Sequence, residues 1–106
     1  MDLIVLVPEA ARTFEQALAV YHNEEEESEP GSPALQSFAD EIDRRFGDDD
    51  WPFTGDPLLF VDHVSLEVAY QRWDEVVPEI VAMAHRGNLV VLDTEAGLFP
   101  PGTNYA

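Results

Sequence analysis

The chain has 106 residues, enough for one hydrophobic core and too few for two, so a single α+β domain spanning 1–106 is expected. Its 22 acidic residues stand against five arginines and no lysine, a formal net charge of −17 that repels nucleic acid and anionic membrane surfaces. Cysteine is absent, which excludes disulfides, thiolate metal sites and a cysteine nucleophile and points to a cytoplasmic protein, and no apolar run is long enough to cross a bilayer.

Met1 and Asp2 lead into Leu3-Ile4-Val5-Leu6-Val7, closed by Pro8. With no positive n-region and no small-residue cleavage site, this reads as a first strand rather than a signal peptide. Its unbroken apolar character suits a central strand buried on both faces. Thr13 and Gln16 have capping-box spacing, and Phe14, Ala17, Leu18 and Tyr21 recur on one helical face, which predicts a helix from Phe14 to Asn23. Glu24, Glu25, Glu26, Glu27, Ser28 and Glu29 then run into the breaker Pro30-Gly31, so residues 24–31 are expected as a solvated acidic loop.

Ser32 and Pro33 supply an N-cap and a first-turn proline to a second helix, whose apolar stripe is Leu35, Phe38, Ala39, Ile42 and Phe46. Gly47 is expected to end it as a left-handed cap. The opposite face, with Asp40, Glu41, Asp43, Arg44 and Arg45, reads as a solvent-facing surface with local ion pairs. Asp48-Asp49-Asp50-Trp51-Pro52-Phe53 follows as a loop in which Trp51 and Phe53 adjoin a run of carboxylates.

Leu58 to Val68 is expected as a hairpin of short strands turning near Asp62-His63; in its second half Val64, Leu66 and Val68 alternate with Ser65 and Glu67. Trp73, Val76, Val77, Ile80 and Ala84 place a third helix over Gln71 to His85, and Pro78 within it requires an effective start near Asp74. Leu89 to Leu92 is the last strand, and residues 95–106 form an extended tail. The order β-α-α-β-β-α-β, with one helix as an extra, is that of a ferredoxin-like split βαβ sandwich with a four-stranded, mainly antiparallel sheet that packs its helices on one face. The apolar strands Leu3 to Val7 and Leu89 to Leu92 are then expected side by side.

His63-Val64-Ser65-Leu66-Glu67-Val68, Arg72-Trp73-Asp74-Glu75-Val76-Val77-Pro78, Ala84-His85 and Leu89-Val90-Val91-Leu92-Asp93 together carry a resemblance. The last half of the chain resembles small, actinobacterial-type immunity-like proteins, mostly of unassigned function, whose last helix runs into a Gly-Leu-Val strand ending Asp-Pro-Gln. Here Asn88 stands in place of the glycine and Thr94-Glu95 in place of Pro-Gln. The resemblance implies a fold more than an activity, and in some members a role in neutralising toxins.

Residue constellations that carry chemistry are otherwise lacking. His22, His63 and His85 are widely separated; the first and last suit helix C-termini, and adjacent strand residues such as Asp62 and His63 are expected on opposite faces. Asp48 to Asp50 lacks the spacing of a calcium loop, and the chain contains no phosphate-binding glycine loop, nucleophile elbow or HExxH motif. No catalytic residue, metal or cofactor is therefore assigned.

What remains is an acidic rim, Glu24 to Glu27, Glu29 and Asp48 to Asp50, around an aromatic anchor, Trp51 with Phe53. It is the anatomy expected of an immunity or antitoxin-like protein that covers the functional surface of a basic toxin. An acidic DNA mimic or regulator of a basic host factor is the nearest alternative, and a small enzyme or ligand-binding domain with a cleft beside His63 is another. High-salt adaptation or a GC-rich genome also produces acidic, lysine-free chains, and then residues 24–29 and 48–50 are solvated loops.

Overall fold

The computed structural model describes residues 1–22, 28–47 and 51–103. Along the chain lie β1 (Asp2–Leu6), α1 (Phe14–His22), α2 (Pro33–Phe46), β2 (Leu58–Leu59), β3 (His63–Glu67), α3 (Trp73–Arg86), β4 (Val90–Asp93) and β5 (Gly97–Phe99). The strands form one antiparallel sheet in the order β2-β3-β1-β4-β5. The protein is thus α+β, as expected, and β1 pairs with β4 through Leu3↔Asp93 to Leu6↔Val90. No helix among the described residues is long and apolar enough to cross a membrane.

The sheet has five strands rather than the expected four. The extra strand comes from the segment read as an extended tail: Asp93 is buried, and its Oδ1 accepts the amides of Glu95 (2.9 Å) and Ala96 (3.1 Å). That side chain organises a tight reversal, and Gly97, at φ +131°, lets the chain re-enter the ladder opposite Asp93. His85 adds a second tie, its Nε2 lying 2.9 Å from the Phe99 carbonyl.

Because β1 is apolar at every inner position, both of its faces need cover. Leu3 and Val5 point to α2 and α3, packing with Leu35, Phe38, Ile42, Phe46, Val77 and Ile80. Ile4 and Leu6 point the other way and pack with Ala11, Ala17 and Leu92, beneath α1. The helices therefore sit on both sides of the sheet, where the sandwich expectation put them on one.

Local signals explain the element ends. Gln16 donates its amide to Thr13 Oγ1 (3.1 Å), and its own Oε1 accepts the amide of Arg12 (2.8 Å), a capping box displaced by one residue. Ser32 Oγ accepts from the Ala34 amide, with Pro33 next to it in the first turn of α2. Gly47 is not a left-handed cap: its φ is −61°, and its amide donates to the Asp43 carbonyl. Glycine is required there by closeness, since a Cβ would lie 2.3 Å from that oxygen. A 3-10 turn at Tyr70–Arg72 leads into α3, which begins at Trp73 and leaves Pro78 in its second turn. At its end Asn88 adopts φ 60°, with Leu89 donating to Ala84 and Asn88 to His85, a Schellman closure with asparagine in the glycine position.

The charged face of α2 is not simply locally paired. Arg45 grips Glu79 with two hydrogen bonds (2.5 and 3.2 Å), and Arg86 reaches Glu41 (3.0 Å), so both pairs clasp α2 to α3.

Candidate acidic binding cleft

The expected interaction residues fall into separate settings. Glu24, Glu25, Glu26, Glu27, Asp48, Asp49 and Asp50 lie outside the described residues. Glu29 is exposed, on a segment held beside the β2–β3 hairpin by Ser28 donating to the Leu59 carbonyl (2.9 Å) and Gly31 donating to Val61 (3.0 Å). Phe53 is buried in the core, edge-on to Phe46 with ring centroids 5.9 Å apart. Trp51 is half-buried and packs edge-on against Phe53 at 4.9 Å, so only the outer of the two aromatic rings reaches solvent to any extent.

Asp62 and His63 meet, contrary to the opposite-face expectation. Asp62 lies in the turn before β3 rather than in the strand, so its Oδ1 reaches His63 Nδ1 at 2.6 Å. The imidazole is 3% exposed and stacks on Phe60 at 4.4 Å, 7° from parallel. Buried, partnered and stacked, this ring serves the hairpin. His85 ties α3 to β5, and His22 is exposed in the last turn of α1.

A cleft of about 540 Å³ lies elsewhere, lined by Asp2, Tyr21, Gly55, Asp56, Leu58, Ser65 and Glu67. Its origin is the uneven cover of one sheet face. α1 lies over the half built on Ile4, Leu6, Leu92 and Leu98, while the same face of β2 and β3 presents Leu58, Ser65 and Glu67. Tyr21, in the last turn of α1, forms the wall between the two halves. Gly55 and Asp56 form the far rim, anchored where Thr54 donates its amide to the Glu67 carbonyl (2.9 Å).

The electrostatics of this cleft are unusual. Asp2 and Glu67 stand directly opposite each other in the β1–β3 register, an arrangement of like charges that destabilises a strand pair. Each is steadied by a single hydroxyl: Tyr21 donates to Asp2 Oδ2, and Thr54 Oγ1 donates to Glu67 Oε1 at 2.5 Å. Asp56 is exposed at the rim, and among the described residues no arginine or histidine lines the cleft. Ser65 lies on the floor, 7% exposed, and its hydroxyl has no hydrogen-bond partner among the described residues. No group of acidic and histidine side chains among the described residues converges closely enough to hold a metal ion.

None of these lining residues stands out as a binding residue in the sequence. The alternation of Ser65 and Glu67 with Val64, Leu66 and Val68 puts them on one face, but the pattern reads equally as a plain solvated face. Only the register of β1 on β3 brings Asp2 opposite Glu67, and the position of α1 leaves the spot uncovered by the described residues. Compared with protein-family models, curated proteins and solved structures, the chain gives no match.

Proposed function

We propose that this chain is a cytoplasmic binding protein that neutralises a basic protein, in the manner of an immunity protein or antitoxin, by covering that protein's functional surface. The observation that carries this reading is the cleft, an acidic recess lined by no cation among the described residues, in a molecule of net charge −17. All five arginines are already counted in that net charge, and three of them, Arg45, Arg72 and Arg86, are engaged in ion pairs within the fold. Such a field raises the rate of encounter with a positive partner, and an acidic recess supplies a place for its side chains. The acidic runs Glu24 to Glu27 and Asp48 to Asp50, with Glu29, contribute to the same net negative charge in this reading. The strand order β2-β3-β1-β4 supports a ferredoxin-like split βαβ core, to which β5 and an α1 on the second face are additions.

The test begins with capture of the tagged protein's partner from native lysate at low and at high salt, followed by purification of the pair. The expected result is one basic protein whose activity is inhibited on binding, with affinity that falls steeply as salt rises. Asparagine and glutamine replacements across Asp48 to Asp50 and Glu24 to Glu27 should weaken that complex at least about tenfold. Unchanged affinity and unchanged protection in those variants would remove the reading.

A further inference from the structure

The chemistry of the cleft specifies its occupant more narrowly than net charge does. Asp2, Asp56 and Glu67 do not converge as a three-carboxylate group that could hold a metal ion, so a compact cation cannot engage all three at once. An extended, delocalised cation with several donors can. Tyr21 and Thr54 each hold one oxygen of Asp2 and of Glu67, which fixes the two carboxylates while leaving Asp2 Oδ1 and Glu67 Oε2 without a partner among the described residues. Ser65 is more than nine-tenths buried as a residue, and its hydroxyl, unpartnered among the described residues, keeps some access to the cleft and offers an acceptor on the floor. Leu58, 41% exposed, gives an apolar wall for an aliphatic stem.

We infer that the cleft between the end of α1 and the β2–β3 hairpin receives the guanidinium of an arginine side chain presented by the basic partner. The planar fork carries five N–H donors and no acceptor, which suits a recess that offers oxygen acceptors on the floor, side and rim. A lysine ammonium is a compact point charge and would reach only part of this set. Cation binding also relieves the repulsion between Asp2 and Glu67, so the cost carried by the free protein is offset on association. This inference rests on the reading of the protein as a binder of a basic partner, and its test is separable from that reading because it needs no partner.

The full chain, labelled with nitrogen-15, is titrated with N-acetyl-arginine-N-methylamide and, in parallel, with the lysine analogue at the same ionic strength. The expected result is saturable amide shifts confined to the neighbourhood of Asp2, Tyr21, Gly55, Asp56, Ser65 and Glu67, with the lysine compound bound at least about fivefold more weakly. Ser65→Ala and Glu67→Gln each remove an acceptor at the cleft and should weaken the arginine compound by about fivefold to tenfold. Their unchanged spectra elsewhere report that the fold persists. Shifts that never saturate, shifts spread over all acidic residues, or equal binding of both compounds would overturn the inference. If a basic partner is captured while blocked arginine fails to bind saturably, the cleft assignment falls and the partner reading stands; saturable arginine binding with no such partner supports the cleft and ends the partner reading.

Discussion

Asn88 shows how a single backbone angle decides what a side chain costs. It occupies the left-handed position of the closure after α3, at φ 60°, where a glycine meets no steric resistance. Asparagine tolerates that region better than other residues with a Cβ, yet is still strained there. Asn88→Gly is therefore expected to raise stability by up to about 1 kcal/mol, and Asn88→Val to lower it by more than that, as read from urea unfolding midpoints. Gly47 illustrates the opposite lesson. Sequence logic places Gly47 at the end of α2 as a left-handed cap, but the reason for Gly47 is the 2.3 Å approach of the Asp43 carbonyl, which no sequence rule contains.

Local patterns located the helices well because helical signals are themselves local. The stripe from Leu35 to Phe46 and the capping residues Thr13 and Ser32 act within a few residues of themselves, and α2 and α1 start where those signals stand. β5 was not legible for the converse reason. Gly97–Phe99 is short and carries no alternation, and it becomes a strand only because Asp93 turns the chain and β4 offers an open edge. Asp93→Ala removes the acceptor of two amides in this buried turn, with an expected loss of about 1–3 kcal/mol. Hydrogen exchange should then accelerate first in Gly97 to Phe99, ahead of β1 and β3; uniform acceleration across the sheet would show that β5 is not an independent unit of stability.

Across the molecule, self-repulsion is the main electrostatic force acting on the fold. A net charge of −17 on 106 residues opposes compaction, and the ion pairs Arg45–Glu79 and Arg86–Glu41 are partly exposed and offset little of it. Raising sodium chloride from about 0.01 M to about 1 M shortens the screening length from roughly 30 Å to roughly 3 Å. The urea midpoint is expected to rise over that range. A flat or falling midpoint would mean that the attractive pairs outweigh the repulsion. The same screening acts in the opposite direction on association with a basic partner, so stability and binding should diverge as salt increases.

The α+β class, the places of the three helices, the hairpin of β2 and β3 and the pairing of the two most apolar strands were all legible in the order of residues, because each follows from local periodicity or from the need to bury an unbroken apolar run. So was the acidity that motivates the functional proposal. Which face each helix covers, the contact between Asp62 and His63, the burial of Phe53 and the existence of the cleft were settled by folding alone. Those features depend on strand register and on where α1 stops short of the hairpin. Residues as distant in sequence as Asp2, Tyr21, Asp56 and Glu67 acquire a common chemistry only when the sheet brings them together.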